Sequence, residues 1–327
     1  MLKLEDVYRG MCDRGNDLYF YTYFLVKSRL EKSYFPYLRD VQPFKTDHGI
    51  GHINRILEKL LHFLRPHLPL PGNPDERIID IENLNLLMHA VLWHDLGNLY
   101  GRIDHTQNIK NIFDGVKSFL YELPHQEWIL KIAEAHSGIE SIEKKVGESF
   151  VTIYDNVIYP QFLSALLRIS DEIDEDCRRA EGRIFSNVPK ENEAYWQFCL
   201  LNESIIPIYK KDSLSNISLE ILIKCKMSKK DIWAKWGKNA GEVKAIHEYI
   251  FRVNKINKER MYCNKYLQQY SALYFRNIDG IRLEITICNE GNEITDKLSF
   301  YFTDDKKEDD FLNNEIIKGI LEKYSGG

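Results

Sequence analysis

The sequence of 327 residues lacks the features that mark membrane-spanning and secreted chains. It has no run of about 18 consecutive apolar residues, which a membrane-spanning helix requires. Its first residues, MLKLEDVYRG, do not combine a basic start with an apolar stretch, so no signal peptide is predicted. From these absences we expect a cytoplasmic protein without a membrane partner.

Cysteine is scarce and scattered, because only six cysteines occur and no two of them form a C-x-x-C pair. This spacing argues against a zinc knuckle and against a disulfide framework. Positive charge is not in excess either, since the formal net charge is -5. The chain as a whole is therefore not typical of a nucleic-acid-binding protein, although a local basic groove remains compatible with this net charge.

Hydrophobic periodicity predicts a mainly α fold over the first two-thirds of the chain. Asp47 is the predicted N-cap of a helix, and Gly97 is predicted to stop the most apolar helix. The predicted helices span residues 16–33, 47–64, 80–96, 105–121, 125–137 and 160–180.

The pattern changes after about residue 200. Alternating segments rich in Ile and Leu predict strands at 217–227, 281–290 and 297–304. A helical segment, about 229–268, separates the first strand from the other two, and a last helix covers roughly 309–324. This β-α-β-β-α order is typical of an α+β module. We therefore predict a helical bundle domain over residues 1–200 and a smaller α+β accessory module over residues 201–327.

Histidines and aspartates in the helical region form a candidate metal site. Imidazole and carboxylate groups that converge in a helical bundle suit a divalent metal. Adjacent residues on a helix point about 100° apart, so His94 and Asp95 can hold one metal only at a helix end or irregularity. Alternatively, the Asp95 carboxylate spans two metals with its two oxygens. The six candidates come from five predicted helices: His52, His94, Asp95, His105, His136 and Asp171.

Three segments of the sequence resemble the HD superfamily of metal-dependent phosphohydrolases: TDHGIGHINRI, LWHDLG and LLRISDEID. The resemblance covers about residues 45–185 and implies an all-helical, HD-type catalytic domain. Its H…HD…D motif falls on His52, His94-Asp95 and Asp171, and the two extra histidines of its dinuclear members fall on His105 and His136. The resemblance implies two divalent ions (Mn, Mg, Fe, Ni, Co or Zn), the first held by His52, His94, Asp95 and Asp171, the second by Asp95, His105 and His136.

The activity implied by the resemblance is hydrolysis of a phosphoester of a nucleotide or related small molecule by a metal-activated water. The candidate catalytic residues are Asp95, Asp174 and His48. His48 is equally compatible with an ordinary histidine near solvent at a helix start. A carboxylate such as Asp174 is more often solvated, and Asp174 is also the alternative to Asp171 as the metal ligand. Many relatives carry a lysine where this chain has Asn98. The phosphate contact of that lysine must then come from elsewhere or be absent, and the candidates to replace it are Arg55, Arg102 and Arg168, since the guanidinium fork suits phosphate oxygens.

Two other functions stay open at this point. A few HD relatives use the same ligand pattern in a di-iron oxygenase, and a non-catalytic metal-bound sensor or partner protein is the second alternative. The complete ligand set argues against the latter. The DEID segment, the following DCRRAEGR and the α+β tail resemble HD proteins of bacterial conflict systems that are linked to Hsp90-like ATPases. This resemblance implies such a protein partner beside the small phosphorylated substrate, and homo-oligomerisation is also left open.

Overall fold

The computed structural model describes residues 2–13, 17–41, 47–73, 77–101, 105–115, 123–138, 140–180, 190–211, 217–234, 245–270, 273, 275–303 and 309–324. Contacts divide the chain into two compact units. The first unit comprises Met1–Pro43, Asp47–Asp171 and Cys263–Asn277, and the second comprises Phe44–Thr46, Glu172–Tyr262 and Ile278–Gly327. The functional domain ranges predicted above, 1–200 and 201–327, stay a prediction.

The first unit is helical, as the periodicity predicted. Its helices are α1 (Leu4–Cys12), α2 (Asp17–Ser33), α3 (Phe35–Val41), α4 (Ile50–Leu64), α5 (Ile81–Trp93), α6 (His105–Asp114), α7 (Leu123–Glu134), α8 (Ile142–Val146) and α9 (Pro160–Glu172). A short antiparallel hairpin, β1 (Val151–Ile153) and β2 (Asn156–Ile158), precedes α9.

Helix α5 is the centre of the first unit. Every side chain from Glu82 to Trp93 is buried, which is the arrangement expected for a helix that is apolar on all sides. The Asp80 side chain caps its N-terminus by accepting a hydrogen bond from Asn83 N at 2.8 Å. The polar residues on α5 have partners, as when Tyr8 donates its hydroxyl to Asn85 Oδ1 at 2.6 Å. Because α5 is enclosed, its C-terminal end is held firmly inside the unit.

The start of α4 differs from the prediction. The helix begins at Ile50 with Gly49 as its N-cap, so the assignment of Asp47 as N-cap is wrong. Asp47 instead accepts a hydrogen bond from Gly49 N at 2.9 Å and pairs with Arg55 Nη1 at 3.1 Å. The acidic side chain thus braces the turn before the helix and orients an arginine on its first turns.

The second unit is an α+β structure, which confirms the predicted fold class. It contains α10 (Lys190–Leu201), β3 (Asn202–Lys211), β4 (Ile217–Ser228), α11 (Lys229–Trp233), most of α12 (Ala245–Leu267), β5 (Ile278–Cys288), β6 (Ile294–Phe302) and α13 (Asp309–Lys323). The sheet order is β3-β4-β5-β6, with β4 and β5 parallel and the outer pairs antiparallel. Strand β3 was not predicted. None of the helices in the described part of the chain combines the length and apolar character that a membrane span needs.

Burial of a histidine on α5 generates a testable pH dependence. His89 is 1% exposed, and burial, with His125 nearby, lowers the pKa of His89 to about 3. In the unfolded chain this pKa is about 6.5, so the unfolded state binds the proton more readily. The free energy of unfolding should therefore fall as the pH drops below about 6.5, and His89 should account for about 2 kcal/mol of the loss between pH 7 and pH 5.

Urea unfolding of the wild type and of His89→Gln at pH 7 and pH 5 measures this contribution. The variant should lose about 2 kcal/mol less than the wild type over this interval. Between pH 8 and pH 7 the two proteins should change alike, because His89 is neutral in both states there. Equal losses between pH 7 and pH 5 would contradict the assignment.

Candidate metal centre

The end of α5 brings two adjacent side chains to one place. The last helical residue is Trp93, and His94 keeps right-handed helical backbone angles. Asp95 has φ -103° and ψ -3° and begins a 3₁₀ turn over Leu96–Tyr100. This change of helical geometry lets neighbouring side chains that would diverge on a regular helix point to a common volume.

The first group consists of His52, His94, Asp95 and Asp171. Potential ligand atoms cluster here as two overlapping sets, one of His52, His94 and Asp171 and the other of His48, His52 and Asp95. His52 Nε2, from α4, lies 3.2 Å from His94 Nε2 and 3.2 Å from Asp171 Oδ1, which is carried by α9. Asp95 Oδ2 lies 3.3 Å from His52 Nε2 and 3.5 Å from His94 Nε2. The structure thus brings together the residues predicted for one ion, and their role as ligands stays a prediction.

His105, at the start of α6, and His136, in the turn that follows α7, form a second group with the other Asp95 oxygen. His105 Nε2 lies 3.4 Å from His136 Nε2, and His136 Nε2 lies 3.7 Å from Asp95 Oδ1. Ligand atoms of these three residues all lie within 4.8 Å of one another. Asp95 therefore offers Oδ2 to the first group and Oδ1 to the second.

Backbone carbonyls orient two of the histidines. His94 Nδ1 lies 2.9 Å from Val91 O and His136 Nδ1 lies 2.6 Å from Ala133 O. A carbonyl can only accept, so Nδ1 carries the proton in each ring and Nε2 presents a lone pair to the cluster. This tautomer is the one that a metal-ligating histidine adopts when its other nitrogen donates to a carbonyl.

The electrostatics of the cluster favour neutral imidazoles beside ionised carboxylates. Burial lowers the pKa of His94, although the Asp95 and Asp171 carboxylates oppose it, and burial lowers the pKa of His136 in the same way. Burial opposes ionisation of Asp95, but His94 and His48 outweigh it and hold the pKa of this carboxyl well below its usual range. His94, His136 and Asp95 are thus in the protonation states that bind a cation.

The donor set fits divalent metal ions. Two nitrogens bound to one ion at about 2.0–2.1 Å are about 2.8–3.4 Å apart when the N–metal–N angle lies between 90° and the tetrahedral angle. The separations of 3.2 Å for His52 and His94 and 3.4 Å for His105 and His136 agree with this. Imidazole and carboxylate ligands suit Zn, Fe, Ni, Co and Mn, so the clustered residues could hold metal ions whose identity the ligands do not determine.

Two supporting residues were not identified as such from the sequence. Asn98 donates its Nδ2 to Asp95 Oδ1 at 2.9 Å. Gly97, predicted to stop a helix, lies inside the 3₁₀ turn. A glycine is needed here because the start of α6 packs directly against this residue: a Cβ would overlap the His105 carbonyl oxygen and lie 2.9 Å from Ile109 N. Asn98 therefore orients Asp95, and the absence of a side chain at Gly97 allows the His105 backbone to pack against the 3₁₀ turn that follows Asp95.

The predicted catalytic and substrate-binding residues fall in different places. His48 lies at the first group, with its Nδ1 2.7 Å from Asp95 Oδ2. Arg55 is held by Asp47, and Arg168 donates its Nη1 to Ser137 O at 3.1 Å, directly after His136 in the chain. Arg102 lies outside the described residues.

Asp174 belongs to the second compact unit. It is fully buried, and its backbone carbonyl accepts a hydrogen bond from Arg179 Nη1 at 2.7 Å. The groups of potential metal ligands among the described residues do not include it. Its catalytic role, like those of His48 and the three arginines, stays a prediction.

Comparison with known proteins identifies one family. The family model described as HD-CE matches residues 35–222, which is more than half of the chain. The matched stretch contains every residue of the two groups that share Asp95. Among curated proteins and among solved structures, none matches the chain. The link to Hsp90-like ATPases and the implied protein partner stay predictions.

Substitution of Gly97 tests the approach of α6 to the cluster. Gly97→Ala places a methyl group against the backbone of His105 and Ile109, which can move only if α6 moves. We expect a loss of at least about 1–3 kcal/mol in unfolding free energy, together with less metal bound per chain by elemental analysis.

Gly10→Ala is the matched control, because a Cβ at this position on α1 meets nothing within 4 Å. It should keep the wild-type metal content and raise stability by about 0.5–1 kcal/mol through helix propensity. Wild-type stability and metal content in Gly97→Ala would show that the close approach is unimportant.

Proposed function

Because the chain belongs to the HD-CE family of HD-type domains, we propose that it is a metal-dependent phosphohydrolase acting on a phosphoester of a nucleotide or a related small molecule. The observation that carries this proposal is the division of the Asp95 oxygens between two histidine groups. A carboxylate shared in this way suits two neighbouring divalent ions, and paired ions suit displacement at phosphorus.

The residues of the two groups would hold the ions. His52, His94, Asp171 and Asp95 Oδ2 surround one position, and His105, His136 and Asp95 Oδ1 surround the other. The chemistry supplied by bound divalent ions is activation of a water near neutral pH and neutralisation of charge on phosphoryl oxygens.

Residues around the ligands support this chemistry in two ways. His48 Nδ1, 2.7 Å from Asp95 Oδ2, is positioned to hold a proton beside the ionised carboxylate. Arg168, anchored by Ser137 O, keeps a positive charge beside the segment that carries His136. A guanidinium in this place is suited to bind phosphate oxygens. It could thus replace the phosphate contact that the resemblance to HD proteins assigns to a lysine.

Removal of one ligand should abolish hydrolysis while removal of a neighbouring histidine should not. We expect His52→Ala to lower the rate of p-nitrophenyl phosphate or bis-p-nitrophenyl phosphate hydrolysis, screened with Mn, Mg, Ni and Co, by more than about 100-fold. Outer-sphere partners of metal ligands alone typically cost about 10–100-fold. His62→Ala is the control, because His62 lies on the same helix outside the cluster.

Several results would count against the proposal. An active His94→Ala/Asp95→Ala protein would remove the proposed mechanism, and a wild type that binds no metal would remove the site. Oxygen consumption with a visible iron absorbance and no phosphoester hydrolysis would instead support the di-iron oxygenase that shares this ligand pattern.

Substitution of a ligand in one group should remove only part of the metal. We expect His105→Ala to keep about half of the wild-type metal content, because the first group retains all of its ligands. Asp95→Ala should lose metal from both positions, because each group loses one oxygen ligand. Elemental analysis after gel filtration measures both, and full metal content in Asp95→Ala would contradict the shared carboxylate.

A further inference from the structure

The sheet of the second unit has one apolar and one charged face. Alternate residues of β4, such as Ile221, Ile223 and Cys225, are fully buried. The residues between them point to the other face, where Lys224 is exposed and Lys226 half-buried. This second face continues across the strands in register, since Leu222 is opposite Arg282 and Arg282 is opposite Tyr301.

A buried carboxylate organises the charged face. Glu220 is only 5% exposed, and its Oε2 accepts a short hydrogen bond from Arg282 Nη2 and an ion pair from Lys210 Nζ at 2.9 Å. Tyr301 donates its hydroxyl to Glu220 Oε1 at 3.2 Å. One acid thus fixes two cations and a phenol on three different strands.

The Tyr301 ring is exposed and yet held in place. It is 48% exposed, and it lies across Gly280, where a Cβ would be 2.9 Å from Tyr301 Cζ. The hydroxyl bond to Glu220 fixes the outer end of the ring. An aromatic side chain held flat on a sheet loses little conformational entropy when a second ring stacks on it.

Positive charge exceeds negative charge on this face. Among the described side chains that the strand register places on this face, five are basic and two acidic, in a chain of net charge -5. The basic ones are Lys210, Lys224, Lys226, Arg282 and Lys297, and the acidic ones are Glu220 and Glu284. The exposed Asp279, in the bulge of β5, also acts on Tyr301, which leaves an excess of two positive charges. Within the described part of the chain, no acidic side chain forms an ion pair with Lys224, Lys226 or Lys297.

We propose that this basic sheet face, formed by the five basic residues around Tyr301, binds single-stranded nucleic acid. A base would stack on the Tyr301 ring, and the lysines would contact backbone phosphates. Four-stranded sheets with exposed aromatic side chains are a common platform for single-stranded RNA, and stacking tolerates any base sequence. The fixed aromatic ring favours a nucleic acid over a lipid surface or an acidic protein, because binding of the latter two would require only the positive charge.

Fluorescence anisotropy of a labelled single-stranded 20-mer of mixed sequence, RNA or DNA, tests the proposal on the full chain. A chelator is included so that the oligonucleotide is not hydrolysed. We expect binding that weakens as salt rises, because phosphate contacts release counterions. Tyr301→Ala should weaken binding roughly tenfold through loss of stacking, whereas Tyr301→Phe, which keeps the ring, should stay within about twofold of the wild type.

Charge reversal completes the test. Lys224→Glu/Lys226→Glu should weaken binding by at least about tenfold. Lys144→Glu/Lys318→Glu makes the same change in net charge at two exposed lysines outside the face, with side chains 72% and 74% exposed, and should bind like the wild type. The proposal is overturned if the oligonucleotide does not bind, if both double variants weaken binding equally, or if Tyr301→Ala binds normally. Equal dependence of anionic vesicle binding on Tyr301 would overturn it as well.

Discussion

The Asp95 carboxylate is the constraint on which the candidate metal centre depends. Its Oδ2 faces His52 and His94, and its Oδ1 faces His136. This orientation requires that α5 ends at Trp93 and that the chain turns immediately into a 3₁₀ segment. Burial of α5 on all sides fixes that end, and Asn98 holds the carboxylate from within the turn. A change in the position of Asp95 would separate both groups at once.

The cluster is costly for a protein that holds no cation. Burial of an ionised carboxylate and of several imidazoles removes their hydration, and the cost is recovered only when the groups are paired or coordinate a metal. The Nε2 atoms of His52 and His94 lie 3.2 Å apart, which is favourable when a cation or a proton lies between them. Binding of a metal ion by these residues would therefore be coupled to folding of the first unit.

The sequence predicted the elements whose signals are local. The long apolar run gave α5, and the histidine and aspartate motifs gave the residues that meet at its end. The role of Gly97 depends on which segment packs against the 3₁₀ turn, and that of Asn98 depends on the turn itself, which places its amide beside Asp95. No pattern in the sequence indicates either role. Strand β3 escaped prediction because Pro207 argues against a strand. It is tolerated because β3 is the edge of the sheet, where a missing backbone N–H is harmless.

Anomalous X-ray diffraction from crystals grown with Mn²⁺ tests the central claim most directly, because it locates each ion relative to the two Asp95 oxygens. Our account predicts two anomalous peaks, one within about 2.0–2.6 Å of Asp95 Oδ2 and near His52 and His94, the other equally close to Oδ1 and near His105 and His136. Two peaks that both lie outside bonding distance of Asp95, or the absence of any peak between the histidines, would contradict the shared carboxylate.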